Sequence, residues 1–192
     1  SEESYYLISA GAWTEYDSDY LHKSLADSKL DSVNIYDCTS QWGVFSIAGP
    51  NSRRFLKKIV VSEDPDKNLS NKEFPWLSYR DIEIGMCPVR ALRVAYTGEL
   101  GWELHHPIEM QNYLLDILLS SGKEFNLKLV GARAQNWLRQ EKSYKAFGSD
   151  LGRDAGPFES KLSRFVDINK NFLGKDALLK RKTDVSCVTL LI

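Results

Sequence analysis

Residues 88–105 form two strand-like runs on either side of a Gly98-Glu99 loop, and this pattern predicts a β-hairpin. One strand is expected over residues 88–97 and the next over residues 100–105. The loop between them is Gly98-Glu99, and glycine fits its first position because a type II′ turn requires a positive φ there. This register pairs Tyr96 with Gly101. One face of the hairpin then carries Tyr96, Gly101, Glu103 and His105, and the other carries Leu100, Trp102 and Leu104.

The first of these faces has the groups that a flat, nitrogen-rich ligand needs. Gly101 is expected to leave an open patch beside the Tyr96 ring, with the Glu103 carboxylate two residues further on. Glu103 would accept hydrogen bonds from ligand N–H groups, and Tyr96 would cover the ligand surface. The alternative is an ordinary half-buried hairpin with a solvated glutamate. Glu103 and His105 also offer two metal ligands, but no third is evident, so we predict no metal site.

The rest of the chain alternates strands and helices irregularly. Helical spacing of apolar residues predicts helices over residues 15–29, after Pro50, and over 110–122, 131–144 and 174–181. Further strands are expected over residues 5–10, 32–39, 43–48, 77–84 and 185–192, and residues 61–75 read as a surface loop. No repeated βαβ crossover is visible. The fold class is therefore α+β, with antiparallel or mixed sheets and packed helices.

Composition narrows the choice of partners. The 192 residues are 43 % hydrophobic and 27 % charged, as in globular proteins, and the net charge of −1 gives no electrostatic reason to expect nucleic acid or an anionic membrane. The sequence has no run of 18 apolar residues, so we expect no membrane-spanning helix. Cys38, Cys87 and Cys187 lack CxxC spacing, which favours reduced thiols in a cytosol-like compartment.

Five separated segments together resemble one protein family. They are WGVFSIAGPNS (42–52), YTGELGWE (96–103), LRQEK (138–142), FGSDL (147–151) and FLGKDAL (172–178). In this order they resemble the aminomethyltransferase family, which contains the glycine cleavage T protein and the folate-binding portions of dimethylglycine and sarcosine dehydrogenases. The GELGWE motif (98–103) is most similar to that of the dehydrogenase branch. The resemblance implies a folate-binding domain of the aminomethyltransferase type.

The same resemblance implies a tetrahydrofolate site. A tyrosine and a glutamate seven residues later line the pterin pocket in that family, which here selects Tyr96 and Glu103. Arg139 matches the arginine that helps to hold the folate, and Phe147 matches an aromatic residue before a glycine in the next loop. Trp42, directly before a family strand, is expected close to the ligand. No GxGxxG motif is present, so no flavin or nucleotide site is expected in this chain.

The resemblance also implies a domain truncated at both ends. Residues 1–182 would form part of the folate-binding domain, and residues 183–192 would begin a C-terminal β-domain. The family's catalytic aspartate would lie before residue 1, so no catalytic residue is assigned and the sequence leaves open whether the chain is an enzyme by itself. A further chain or segment is a possible partner that would complete the domain.

Two functions follow from the resemblance. The first is the one-carbon transfer region of a dimethylglycine- or sarcosine-dehydrogenase-like protein, in which a nitrogen of tetrahydrofolate captures an aminomethyl or methylene group from an amine substrate. The second is a non-catalytic regulatory or interaction module that keeps the fold. The implied location is the cytoplasm, or the mitochondrial matrix in a eukaryote. The sequence does not identify the amine.

Overall fold

Four strands form one antiparallel sheet in the computed structural model of the chain, which describes residues 4–152, 154–181 and 185–190. The strands are β1 (Trp42–Ala48), β2 (Tyr79–Ile84), β3 (Cys87–Leu92) and β4 (Gly101–Pro107). Their spatial order is β1-β4-β3-β2, so the strand that carries Glu103 lies inside the sheet. The sheet and its packed helices confirm the α+β class.

The chain divides into two units, Ser1–Gln41 and Trp42–Ile192. In its described residues, the first unit contains helix α1 (Thr14–Ser28), close to the predicted helix. The second contains the sheet and the helices α2 (Ser52–Ile59), α3 (Pro65–Asn68), α4 (Gln111–Gly122), α5 (Ala132–Glu141) and α6 (Lys175–Lys180). Apart from α3, which lies in the predicted surface loop, these helices match the predicted ones within a few residues.

One face of the sheet and two helices build the core. Alternate residues of β4, Trp102 and Leu104, are fully buried there. Helix α2 contributes Phe55 and Leu56, and helix α4 contributes Leu114 and Leu118 at helical spacing. Because these apolar groups occupy one face only, residues 103 and 105 of β4 project from the opposite face. The predicted division of residues between the two faces of β4 is correct.

The predicted hairpin turn is wrong. Strand β3 ends at Leu92, which pairs with Glu103, so the register differs by two residues from the predicted one. Residues 93–100 form a wider loop because the backbone of Arg93 pairs with the chain before β2: its N–H donates to the Ser78 carbonyl at 2.9 Å and its carbonyl accepts from the Leu77 N–H at 3.2 Å. A shift of two residues preserves the faces, since side chains alternate with a period of two.

The expected open patch at Gly101 is also wrong. A Cβ atom at this position would lie 2.5 Å from the Ile47 carbonyl oxygen and 2.9 Å from the Ala95 Cβ. Gly101 is therefore needed for close approach of the backbone of β1 and of the 93–100 loop, and it does not leave space for a ligand.

Three predicted strands are not found in the described residues. No strand is assigned to residues 5–10, 32–39 or 185–190, and residues 191 and 192 lie outside the described part of the chain. Alternation predicts a strand only when a neighbour supplies the ladder hydrogen bonds. The surface loop expected over 61–75 is wrong in part, because its Leu69 and Phe74 are buried.

Candidate functional site

Glu103 projects from the face of the sheet opposite the core. It lies on β4 between Ser46 of β1 and Leu92 of β3, and its side chain is 30 % exposed. The buried His105 ring places Nε2 3.3 Å from Glu103 Oε2, so a proton on Nε2 would be donated to the carboxylate. The carboxylate is therefore held on one side by the protein and is accessible to a hydrogen-bond donor from outside.

Tyr96 lies in the 93–100 loop and not in a strand. Its hydroxyl donates to the Lys145 carbonyl oxygen at 3.0 Å, and its ring centroid lies 6.5 Å from that of Tyr144. Burial raises the pKa of the Tyr96 phenol, although the Arg139 guanidinium opposes part of this shift. The phenol therefore stays a neutral donor at physiological pH, and it joins the loop to the segment that follows α5.

Glu103 and the loop that bears Tyr96 lie at the same end of β4. The Ala95 methyl group approaches Gly101 closely, as described above, and Tyr96 is the next residue along the loop. Glu103 is two residues from Gly101 on the same face of the strand. The 93–100 loop thus places Ala95, the neighbour of Tyr96, against Gly101, which is two residues from Glu103.

Arg139 is held inside the protein. This residue of α5 is 3 % exposed. Its Nε donates to Asn136 Oδ1 at 2.8 Å, and its Nη1 donates to the Tyr144 carbonyl oxygen at 2.8 Å and forms an ion pair with Asp150. Two of the three guanidinium nitrogens therefore serve the protein itself.

Asp150, in the FGSDL segment, is not among the site residues predicted from the sequence. Its Oδ2 accepts the Ala146 N–H at 2.9 Å in addition to the Arg139 ion pair. The Ala146 hydrogen bond first, and the Arg139 pairing in addition, lower the pKa of Asp150 below the ordinary value of 3.8. The Gly- and Asp-rich composition of the loop gave no signal for this pairing, because Asp150 lies 11 residues after Arg139.

Phe147 and Trp42 are the two remaining residues predicted for the site, and they lie at different distances from Tyr96. Phe147 follows Ala146 directly, and its ring is 66 % exposed. Trp42 lies on the same face of the sheet as Glu103 but pairs with Pro107, four residues further along β4, or about 13 Å away at ~3.3 Å per residue. The guanidinium of Arg90 lies 5.8 Å from its ring centroid. Phe147 thus lies two residues after Lys145, which binds Tyr96, whereas Trp42 lies next to the end of β4 that is far from Gly101.

Other kinds of site find no support in the described residues. No group of three His, Cys, Asp or Glu side chains in that part of the chain is placed to hold a metal ion. No helix within it is long and apolar enough to cross a membrane. The three cysteines are free thiols.

The low pKa of Asp150 predicts an effect on acid stability. A carboxyl group whose pKa is lowered by folding stabilises the folded state above its unfolded pKa and loses that contribution as the pH falls through the folded value. We therefore expect the stability difference between the wild type and Asp150→Asn to shrink as the pH falls from 7 to below about 4. Urea unfolding across this range measures it, with Asp116→Asn, on an exposed part of α4, as the control. A difference that stays constant with pH would contradict the pairing.

Comparisons of the chain with a family model and with individual proteins agree on one family. Residues 1–170 match the family described as "GCVT N-terminal domain". The chain is 38 % identical over 182 residues to a mitochondrial dimethylglycine dehydrogenase of Mus musculus. The aligned residues cover 93 % of this chain and 20 % of that protein. It is 32 % identical over 183 residues to an aminomethyltransferase of Caldanaerobacter subterraneus subsp. tengcongensis. These aligned residues cover 95 % of this chain and 46 % of that protein.

Among solved structures, the chain is similar to a heterotetrameric sarcosine oxidase from Corynebacterium sp. U-96 in complex with pyrrole 2-carboxylate. The identity is 18 % and the TM-score is 0.47, over 59 % of this chain and 54 % of that one. The chain spans less than half the length of each of the two sequence relatives described above, at 20 % and 46 %.

Proposed function

Because the chain belongs to the GCVT N-terminal domain family, we propose that it binds tetrahydrofolate in the one-carbon transfer region of a dimethylglycine- or sarcosine-dehydrogenase-like protein. The observation that carries this proposal is the Glu103 carboxylate, which is held by His105, is partly exposed, and lies beside the loop that bears Tyr96. The ligands are a reduced folate and an amine that carries the one-carbon group.

Glu103 fits the pterin end of such a ligand. A pterin presents neighbouring N–H donors along one edge, and an ionised carboxylate accepts two such bonds in one plane. Charge-assisted hydrogen bonds of this kind contribute about 1.5–3 kcal/mol each. The exposed fraction of the carboxylate leaves it accessible to these donors, while the contact with His105 reduces its freedom to rotate.

Tyr96 and Phe147 supply rings for the flat part of the ligand. The Tyr96 ring is 36 % exposed, and its hydroxyl is fixed to the Lys145 carbonyl, so the orientation of the ring is set before a ligand binds. A fixed ring loses less entropy on binding than a free one. Phe147 adds a second exposed ring two residues after Lys145, and Arg139 contributes its positive charge close to Tyr96. Trp42, on β1, lies about 13 Å from Glu103 along the sheet and would meet only a more distant part of the ligand.

Tetrahydrofolate supplies the nitrogen that accepts the one-carbon unit. The residues of this chain bind and orient it. Alignment of two reactants can lower a barrier by roughly 7–11 kcal/mol in favourable cases, so positioning alone is a substantial contribution.

A non-catalytic regulatory or interaction module is the second candidate. The observation that favours it is the internal engagement of Arg139, whose Nε and Nη1 already bind Asn136, Tyr144 and Asp150. Such a module would keep the fold without holding a folate carboxylate.

Titration of the purified chain with 5-formyltetrahydrofolate distinguishes the two candidates. The folate proposal expects saturable binding with a Kd in the micromolar range, measured by isothermal titration calorimetry. Folic acid, which is fully oxidised and planar, is a useful comparison ligand. The absence of heat of binding up to millimolar ligand would favour the regulatory module and contradict the folate proposal.

A further inference from the structure

The Asp150 carboxylate closes the loop that follows α5. Its Oδ2 accepts the Ala146 N–H at 2.9 Å, while the Asp150 N–H donates to the Ala146 carbonyl oxygen, also at 2.9 Å. The Leu151 N–H donates to the same carbonyl at 3.1 Å. Ala146 is therefore bound through both its backbone groups, and the turn that presents Phe147 is fixed by hydrogen bonds at its base.

The same carboxylate acts on the preceding residues through Arg139. The Arg139 Nη1 that pairs with Asp150 also donates to the Tyr144 carbonyl, and the Tyr144 N–H returns a bond of 2.9 Å to the Arg139 carbonyl. Since the guanidinium is buried, loss of its carboxylate partner would leave an uncompensated charge. Asp150 thus fixes the chain on both sides of Lys145.

Lys145 is the residue that holds Tyr96, through its carbonyl oxygen. None of residues 144–150 is fully buried, so apolar packing holds this segment less firmly than it holds the core. The hydrogen bonds of Asp150 connect its two sides, directly at Ala146 and through Arg139 at Tyr144.

We propose that Asp150 is a positioning residue for the folate site, since it fixes the Lys145 carbonyl and so the orientation of the Tyr96 ring. This inference rests on the proposed function. It also gives Arg139 a second role, as the buried link between Asp150 and Tyr144.

The first test uses the ligand-free protein. In Asp150→Asn we expect hydrogen exchange at the Ala146 amide to accelerate at least tenfold and the ¹³C-tyrosine NMR signal of Tyr96, assigned with Tyr96→Phe, to shift. The Leu104 amide of β4 reports global opening, so only the acceleration at Ala146 that exceeds the acceleration at Leu104 measures the local effect. Asp154→Asn, in the same loop, is the matched control and should leave both signals in place.

An unchanged Tyr96 signal in Asp150→Asn would overturn the inference, whatever the exchange rate at Ala146 and whether or not the chain binds folate. If that variant does not fold, Asp150→Glu, which displaces the carboxylate by one methylene, is read in the same way.

The second test measures binding of 5-formyltetrahydrofolate in a double-mutant cycle. Asp150→Asn is expected to raise the Kd at least fivefold in the wild-type background but less than twofold in Tyr96→Phe, because both changes remove the same restraint on the ring. A purely structural role predicts equal effects in the two backgrounds, and that result would contradict positioning through Tyr96. Failure of the wild type to bind would reject the proposed function, while the ligand-free test still decides whether Asp150 positions Tyr96.

Discussion

Replacement of Trp102 by alanine is expected to lower the free energy of unfolding by about 3–5 kcal/mol. The Trp102 side chain is fully buried, and its ring lies edge-to-face with Phe74 at a centroid distance of 6.2 Å. The guanidinium groups of Arg53 and Arg93 lie 5.6 and 6.0 Å from the ring centroid. The substitution removes these contacts together and leaves a cavity that the sheet and helices cannot fill.

Urea unfolding followed by circular dichroism measures this loss without depending on the tryptophan signal. Trp137→Ala on α5 is the matched control, because the same side chain is removed from a position that is 69 % exposed. Its effect should stay within about 0.5 kcal/mol. Similar losses for the two variants would show that Trp102 does not face the core, and Glu103 would then not face away from it.

Glu103→Gln is expected to raise the Kd for 5-formyltetrahydrofolate at least tenfold, which is ~1.4 kcal/mol. Glutamine keeps the size of the side chain but has one acceptor oxygen and no charge. It would therefore lose one of the two bonds to the pterin edge and weaken the other. Stability should change little, because the carboxylate is partly exposed and its neighbour His105 can bind the amide oxygen.

Glu99→Gln provides the control for a general effect of charge. Glu99 lies in the 93–100 loop, is 41 % exposed and pairs with Lys142 Nζ at 3.4 Å. Its substitution should change the Kd by less than twofold. Equal effects of the two substitutions would mean that Glu103 acts only through net charge, and no effect of Glu103→Gln would remove it from the site.

Much of the sheet could be predicted from the sequence because the information is local. Alternation in β4 separates Trp102 and Leu104 from Glu103, and no knowledge of partners is needed for that. The register with β3 could not be predicted, since it depends on backbone bonds between Arg93 and residues 77 and 78, which belong to another part of the chain. The predicted faces of β4 are correct despite the wrong register because the register error is two residues, and side chains alternate with a period of two.

The strands expected over residues 5–10 and 32–39 failed for a related reason. Residues 32–39 alternate and residues 5–10 are mostly apolar, but neither stretch is assigned to a strand in the described part of the chain. The helices were predicted more reliably, because a helix such as α4 satisfies its own backbone and needs only an apolar stripe for packing.

Family membership was predicted correctly from five short segments in order, although each is weak alone. The assignment of individual residues stays a prediction. The resemblance selected Arg139 as a ligand-binding residue, but it could not indicate that Asp150 would occupy the guanidinium. Only the folded chain brings these two residues together.

The central claim is that Glu103 and Tyr96 face one bound tetrahydropterin, and nuclear Overhauser effects test it most directly. With ¹³C-tyrosine-labelled protein and free 5-formyltetrahydrofolate at about ten times the wild-type Kd, we predict cross-peaks from the protons of the tetrahydropterin ring to the Tyr96 signal. A tenfold higher Kd leaves roughly half of the Glu103→Gln sites occupied at the same ligand concentration, so we expect the cross-peaks of that variant to weaken by about half. Saturating binding with cross-peaks to other tyrosines and none to Tyr96 would contradict the account.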